Sequence, residues 1–425
     1  MTGIVSYAAY LPSHRLGGRR VVASFDEDST TLAVAAAQVA LGNRSTGALY
    51  FSSTTPAYAD KANATAVHAA LGLPPGVFAV DMAGSARSAV AAFRSAAESG
   101  GVAVLSDVRV GRAGSSDEKD GADAAAAFVF GDGDTIADVI GYASTTTEFL
   151  DRWRAPGGVG AQWEERFGFE EYQPLIESVR TQVGIDDPDH VVVVSPNTAV
   201  RKWAARTFTT SPVGHAGAAD LGVALAHVLD IAQPGETIVV ISAADGADAV
   251  GLRVTARIRR QPVPVAAQLA AGVDVDYLTY LTWRGLIDRE PPRRPEPDRV
   301  AAPPSARDRA WKFAFTASCC AACSFVHLPP ARACKNCGVV DQMTPRSLRG
   351  DTGTVATFTV DRLAYSLAPP VVGAVVDFDS GGRYTLELAD GGADRIAVGS
   401  RVGLTFRNLH SAGGVHNYFW KAKLL

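Results

Sequence analysis

Cysteine is missing from residues 1–318 and 338–425 of this 425-residue chain; all five stand between Cys319 and Cys337. A disulfide framework distributes pairs through a chain, so this crowding points to metal-ligating thiolates in a reducing compartment. No excess of one charge sign is present either: 40 Lys and Arg face 44 Asp and Glu, for a net charge of -4. That balance supplies no basic footprint for DNA or RNA. No apolar run reaches the roughly 20 residues of a membrane helix, and no charged-apolar-small leader precedes Ile4. The expectation is a soluble cytoplasmic protein of two or three domains, with neither a nucleic-acid nor a membrane partner.

What the sequence does have is small residues in two similar stretches. Residues 80–107 run from the end of a strand-like FAVDM (78–82) through a turn at Ala83-Gly84-Ser85, a helix expected over Ala86–Ala97 and a Gly100-Gly101 break to the apolar strand VAVLSD. Residues 212–248 repeat the layout: a tight turn, a small-residue helix, a Pro-Gly break and a strand ending near Asp245 and Asp248. Helices built of Ala, Ser and Gly on every side are expected to be enclosed at close range, where larger side chains do not fit. Two such units predict a duplicated α/β domain with its central helices packed together.

Around them the pattern is regular. GIVSYAAY (3–10) reads as a strand, and Asp, Ser and Thr cap a helix over about Thr30–Leu41. ALYFSSTTP and AAAAFVFGD read as further strands. Asp117, Glu118 and Asp120 read as solubilising loop acids. Three aromatic clusters in 150–183 suggest a cap over an entrance, and DDPDHVVVVSPNT a strand with its loop. Pro and Arg crowd residues 289–309, a semi-rigid linker and the expected domain boundary. Beyond it, Cys320-x-x-Cys323 and Cys334-x-x-Cys337 can place four thiolates around one tetrahedral Zn²⁺, leaving no position open for catalysis. Cys319 is a neighbour that could stand in for Cys320. Five short alternating runs after residue 352, separated by Gly-rich turns, predict a small β-barrel.

The organisation of residues 1–285 resembles the thiolase superfamily and, within it, the 3-hydroxy-3-methylglutaryl-CoA synthase-like branch. The ribbon and barrel resemble the DUF35 zinc-ribbon/OB-fold module. The resemblance implies a duplicated five-layer α/β fold over 1–288, the linker at 289–309, a zinc ribbon at 310–345 and an OB-like barrel at 346–425. It also implies an acyl-CoA thioester as substrate, and a homodimer or a heteromer with a thiolase-like protein.

Carried over position by position, the family's nucleophilic Cys falls on Ala86, its Asn on His215, its His near Val194 or Ser195, and its Glu on Thr54. Three readings stay open. Ser85 or Ser88 takes over as nucleophile with His215 as base; or His215, with Asn197 orienting the substrate, performs non-covalent C–C chemistry or acyl transfer; or the chain is a degenerate scaffold for a partner enzyme. Arg201, Lys202, Arg293 and Arg294 are candidates for the phosphates of CoA, against the plainer reading of a solvated face and linker.

Overall fold

A computed structural model describes residues 2–155, 158–290 and 294–425; Arg293 of the linker lies outside them. Among the described residues the chain divides into two compact units. Unit 1 comprises Met1–Ala23, Asp28–Thr65 and Pro74–Leu286; unit 2 comprises Ser24–Glu27, Ala66–Leu73 and Ile287–Leu425.

The chain to residue 145 contains β1 (Gly3–Tyr10), β2 (His14–Leu16), β3 (Arg20–Val22), α1 (Ser29–Leu41), β4 (Ala48–Ser53), α2 (Ala64–Ala70), β5 (Phe78–Ala83), α3 (Ser88–Ser99), β6 (Val102–Asp107), α4 (Ser116–Asp120), β7 (Ala124–Gly131) and β8 (Ala137–Thr145). It continues with β9 (Arg152–Trp153), β10 (Ala161–Gln162), α5 (Glu165–Gln182), β11 (His190–Val194), α6 (Thr198–Ala204), α7 (Ala219–Leu229), β12 (Thr237–Ala243), β13 (Ala247–Val254), α8 (Val265–Ala270), β14 (Val273–Val275) and α9 (Tyr277–Trp283).

Among the described residues nine strands join in the order β11-β12-β13-β8-β1-β7-β6-β4-β5. The run β1-β7-β6-β4 matches β8-β13-β12-β11 in pairing sense, antiparallel twice and then parallel. This is the duplication expected from the repeated stretches, with β5 as an extra edge strand in the first copy. Within the sheet, among the described residues, the copies join where β1 pairs β8 at Gly3–Asp138 and Ile4–Ala137. α1 packs on one half-sheet, α5 on the other, and α3 and α7 pack together between them, which gives five layers.

Local chemistry sets these elements. α1 starts where Asp28 Oδ1 accepts the Thr31 N–H at 2.9 Å while Thr31 Oγ1 accepts the Asp28 N–H at 2.8 Å, a reciprocal cap. α7 can lie close to the sheet because Gly222 has no Cβ; one there would sit 2.7 Å from Ala126 Cβ and 3.0 Å from Leu105 Cδ1. One expectation is corrected. α7 is buried on nearly every side, but α3 exposes Ala91, Arg94 and Glu98 and starts at Ser88 rather than Ala86. Its buried stripe of Ala89, Ala92, Phe93 and Ala96 faces the core, so α3 is amphipathic rather than enclosed.

Unit 2 contains α10 (Ala302–Arg307) and α11 (Arg309–Ala314), then β15 (Thr316–Cys320), β16 (Val326–His327) and β17 (Met343–Ser347). Short helices thus occupy the end of the stretch read as linker. Five strands follow: β18 (Gly353–Asp361), β19 (Val371–Phe378), β20 (Arg383–Glu387), β21 (Arg401–Ala412) and β22 (Val415–Leu424). They pair as β20-β19-β18-β21-β22, and a Leu388–Ala422 bridge joins the two ends into the expected barrel.

The barrel buries charge beneath the segment Ser24–Glu27. Arg407, fully buried, pairs with Asp26 at 3.0 Å, Glu27 at 3.1 Å and Asp390 at 2.9 Å, while Lys421 pairs with Asp26 at 3.0 Å and Glu387 at 2.8 Å. The segment Ser24–Glu27 is thereby part of unit 2 although it stands between β3 and α1 in the chain.

Candidate active site

The loop after β11, the turn before α3, the loop before α7 and the end of β12 converge in unit 1. They bring Ala86, Val194, Ser195, Pro196, His215 and Asp220 around one small cavity, with Gly217, Leu221, Ser242 and Ala244 completing its wall. It offers about 10 Å³ to the centre of a water molecule, close to the minimum that holds a single water.

Backbone bonds fix His215: its N–H donates to Asp120 O at 2.8 Å, and its carbonyl accepts the Ala122 N–H at 3.0 Å. The loop is tied down by Asp107, a fully buried carboxylate. It accepts from the Ala218 N–H at 2.6 Å, from the Thr54 and Thr55 N–H groups, and from the hydroxyls of Ser53, Thr54 and Thr55. Gly217, at φ +58°, is needed there, because a Cβ would run into that carboxylate.

His215 is 4% exposed and Asp220 3%. His215 Nδ1 lies 3.5 Å from Asp220 Oδ2, whereas Asp220 Oδ1 is buried with no hydrogen-bond partner among the described residues. Burial holds the His215 pKa below its ordinary value; the bond to Asp220 opposes this, and Arg109 and Arg201 add to the lowering. The ring is therefore neutral at pH 7. With Nδ1–H turned to Asp220, Nε2 carries the free lone pair.

The positions carried over for the nucleophile, the Asn and the His thus meet, as Ala86, His215 and Ser195. Other predicted residues are placed elsewhere. Ser85 is not in the cavity wall; its Oγ accepts the Arg87 N–H at 3.3 Å, a turn-capping bond. Ser88 Oγ donates to Ala83 O at 2.9 Å. Asn197 caps α6 through Ala199 and Val200 N–H, and its amide donates to Asp151 Oδ1 and Glu165 O, so its polar atoms are committed inside the protein. Thr54 belongs to the Asp107 network and accepts from Arg109 Nη1 at 2.9 Å. The acids at 117–120 are not loop solubilisers: they form α4, Glu118 is buried and accepts the Tyr277 hydroxyl at 2.9 Å, and Asp117 pairs with Arg152. Asp220 was not singled out from the sequence. Its signal was an acid in the first turn of an otherwise apolar helix.

Beside the cavity opens a cleft of roughly 830 Å³ whose wall includes Arg19, Arg20, Lys119, Arg201, Lys202 and Tyr277. Asp120, Gly121 and Gly214 also line it, so the backbone that grips His215 separates cleft from cavity. Arg20 is 8% exposed and its Nε and Nη1 have no hydrogen-bond acceptor among the described residues. Arg201 is held by Asp120 at 3.1 Å and by the carbonyls of Ser195 and Pro196.

In unit 2, the ligand sulfurs of Cys320, Cys323, Cys334 and Cys337 all lie within 4.8 Å of one another. Cys320 to Cys337 is 3.7 Å and Cys323 to Cys334 is 3.6 Å. Sulfurs about 2.3 Å from a tetrahedral ion stand about 3.8 Å apart, so the cluster fits a four-coordinate metal. Hydrogen bonds from Asn336 Nδ2, 3.5 Å from Cys323 Sγ, from the Phe325 backbone and from the neighbouring thiols together lower the Cys323 thiol pKa to about 6. Cys319 is outside the set, its Sγ donating to Ser324 O at 3.6 Å.

Comparison with known proteins fixes the relationship. The hydroxymethylglutaryl-CoA synthase of Methanopyrus kandleri is 31% identical over 335 residues, spanning 65% of this chain and 95% of that protein. The chain belongs to the hydroxymethylglutaryl-CoA synthase family. The synthase of Thermoplasma acidophilum is 28% identical over 346 residues, 68% of this chain and 98% of that protein. A solved HMG-CoA synthase complexed with CoA overlays with TM-score 0.58 at 14% identity, over 66% of this chain and 89% of that one. The 3-oxoacyl-(acyl carrier protein) synthase III of Pseudomonas aeruginosa overlays with TM-score 0.52 at 21% identity, over 60% of this chain and 98% of that one. These likenesses establish the thiolase-like fold of unit 1. Residues 347–407 match the family model for the C-terminal OB-fold domain of ChsH2, in keeping with the barrel.

Proposed function

We propose that this synthase-family chain binds acyl-CoA thioesters in unit 1 and acts on them through His215 without an acyl-enzyme. The observation that carries this reading is the convergence of Ala86, Ser195, His215 and Asp220 on one cavity beside a cleft rich in Arg and Lys. Alanine offers no nucleophile, and unit 1 contains no cysteine. A neutral buried imidazole beside a carboxylate can accept a proton from an attacking group. Arg19, Arg20, Lys119 and Lys202 suit the phosphates of CoA. A helix face with an exposed Ala91 and the edge strand β5 with its exposed Phe78 suit pairing with a second copy or a thiolase-like protein. We assign Zn²⁺ to the four cysteines as a structural ion, and the cytoplasm as the reducing compartment in which they stay thiolates.

Intact-protein mass measurement after incubation with acetyl-CoA tests the central point. The wild-type mass stays unchanged, while Ala86→Cys gains an acetyl group. Acetylation of the wild type at Ser85 or Ser88 overturns the reading. The small volume of the cavity favours a second one, a degenerate subunit that supports a partner enzyme, because 10 Å³ does not admit an acyl chain without movement. Binding of acetyl-CoA by the isolated chain, followed by calorimetry, separates the two.

A further inference from the structure

Three features of the His215 cavity fit together in a way that an empty catalytic position does not require. The methyl group of Ala86 leaves space for one water and little else. Asp220, 97% buried, lines that space and keeps Oδ1 without a partner among the described residues. Its Oδ2 faces His215 Nδ1 at 3.5 Å, which leaves Nε2 as the proton acceptor. A buried carboxylate oxygen with no donor costs on the order of 1–3 kcal/mol, so a fold that keeps one has a use for it or fills it with water. Position 86 is where the family resemblance puts the attacking atom. The space between Ala86, Asp220 and His215 has room for a water at that place, with a base beside it.

We infer that this chain is a thioester hydrolase, in which a water held by Asp220 and His215 replaces the thiol nucleophile. The inference rests on the acyl-CoA reading above and specifies its acceptor. The water oxygen forms a C–O bond to the thioester carbonyl carbon as its proton passes to His215 Nε2. Collapse of the tetrahedral species breaks the C–S bond, and the proton on Nε2 goes to the departing thiolate. Acyl-S-CoA and water thus become the free acid and CoA thiol, with no redox partner. Asp220 orients the imidazole through Nδ1–H and stabilises the imidazolium, as carboxylates do for catalytic histidines generally. The CoA phosphates lie in the basic cleft, whose wall at Asp120, Gly121 and Gly214 adjoins His215 and must move for the thioester carbonyl to reach the water.

The experiment uses the full chain with acetyl-CoA and octanoyl-CoA in ¹⁸O-water. It records thiol release, ¹⁸O in the acid and, by calorimetry on a non-hydrolysable thioether analogue of acetyl-CoA, binding. Expected are thiol release above the buffer rate and one ¹⁸O per acid formed. His215→Ala lowers the rate about 100-fold or more, the usual share of a positioned base. Ala86→Val fills the water's place while keeping His215 and Asp220; it is expected to bind the thioether and lose hydrolysis, which guards against a His215 variant that only misfolds. Analogue binding with thiol release no faster than buffer overturns the hydrolase and leaves the acyl-CoA reading standing. Absence of analogue binding overturns both. Thiol release without ¹⁸O in the acid shows transfer to another acceptor and also overturns the hydrolase.

Discussion

The barrel face under Ser24–Glu27 and the cavity at His215 both bury charge, and they neutralise it in opposite ways. In the barrel each buried ion has more than one partner: Arg407 reaches three carboxylates, and Lys421 two. Asp26 additionally gives its carbonyl to the Asn408 N–H at 2.9 Å, and Glu27 accepts the Ser24 N–H at 2.9 Å. At the cavity, the Asp220 carboxylate has, among the described residues, one long contact to a neutral ring and one oxygen with no partner. A buried network whose members are all satisfied rigidifies a fold. A buried group left under-satisfied is available to a ligand. The same residue types therefore serve as a clamp in one place and as chemistry in the other.

Removing the hub of the clamp gives the largest expected effect. Arg407→Met leaves Asp26, Glu27 and Asp390 with their main counter-ion gone, and breaking a buried pair from one side costs about 3–5 kcal/mol. Denaturant unfolding followed by the fluorescence of Trp420, a buried neighbour on β22, should register that loss. An unchanged midpoint would mean water already reaches the cluster.

The pH dependence of unit 2 tests the same clamp from both sides. Burial alone would raise the Asp26 pKa, but Arg407 and Lys421 outweigh it and hold the value below the ordinary carboxylate range. Burial alone would lower the Lys421 pKa, but Asp26 and Glu387 outweigh it and raise the value. A depressed acid stabilises above its unfolded pKa of about 3.9, and that stability is lost as pH falls through the lower folded value. A raised base stabilises below its unfolded pKa of about 10.4, and that stability is lost as pH rises through the folded value. Thermal unfolding should show a plateau between about pH 5 and pH 9 with losses on both sides. In Lys421→Met the alkaline loss should shrink.

Asn197 sits between the two cases, near the cavity but fully engaged. Asn197→Ala removes the α6 cap, worth about 1 kcal/mol, and takes a donor from the buried Asp151. Burial already raises the Asp151 pKa, and the Asn197 amide opposes that rise, so the variant should push it higher. A total loss of about 1–2 kcal/mol is expected in a denaturant titration.

How much of this was legible in the sequence follows from how far apart the partners lie. The four clustered cysteines occupy residues 320–337, and spacing alone names them. The positions of Ala86 and His215 came from motif layout, and the fold brings them to one cavity as that layout implied. Asp26 and Arg407 stand 381 positions apart; nothing local in FDED or TFRN announces that they meet. Asp220 lay in a stretch singled out for its small residues, yet an acid in a first helical turn reads as a dipole contact until burial is known. Asn197 and Ser85 were named for their chemistry, and only hydrogen-bond accounting shows their polar atoms directed to turns and caps. The half-exposed face of α3 escaped the sequence because Ala is neutral about burial: Ala91 faces solvent, whereas Ala92 is fully buried.

Asp220→Asn gives the smallest stability change and the sharpest contrast with Arg407→Met. The substitution removes a buried charge while keeping shape, so no partner is stranded, and an amide can still take a hydrogen bond from a water through its carbonyl. Stability is expected to stay within about 1 kcal/mol of wild type, or to rise, as when a poorly compensated buried charge is neutralised. Any thioester turnover should fall all the same, because the amide cannot stabilise the imidazolium as a carboxylate does. A stability loss comparable to that of Arg407→Met would place Asp220 with the clamp and remove the contrast. Unchanged stability with lost turnover is what an under-satisfied buried acid should give when its free oxygen belongs to the reaction and not to the fold.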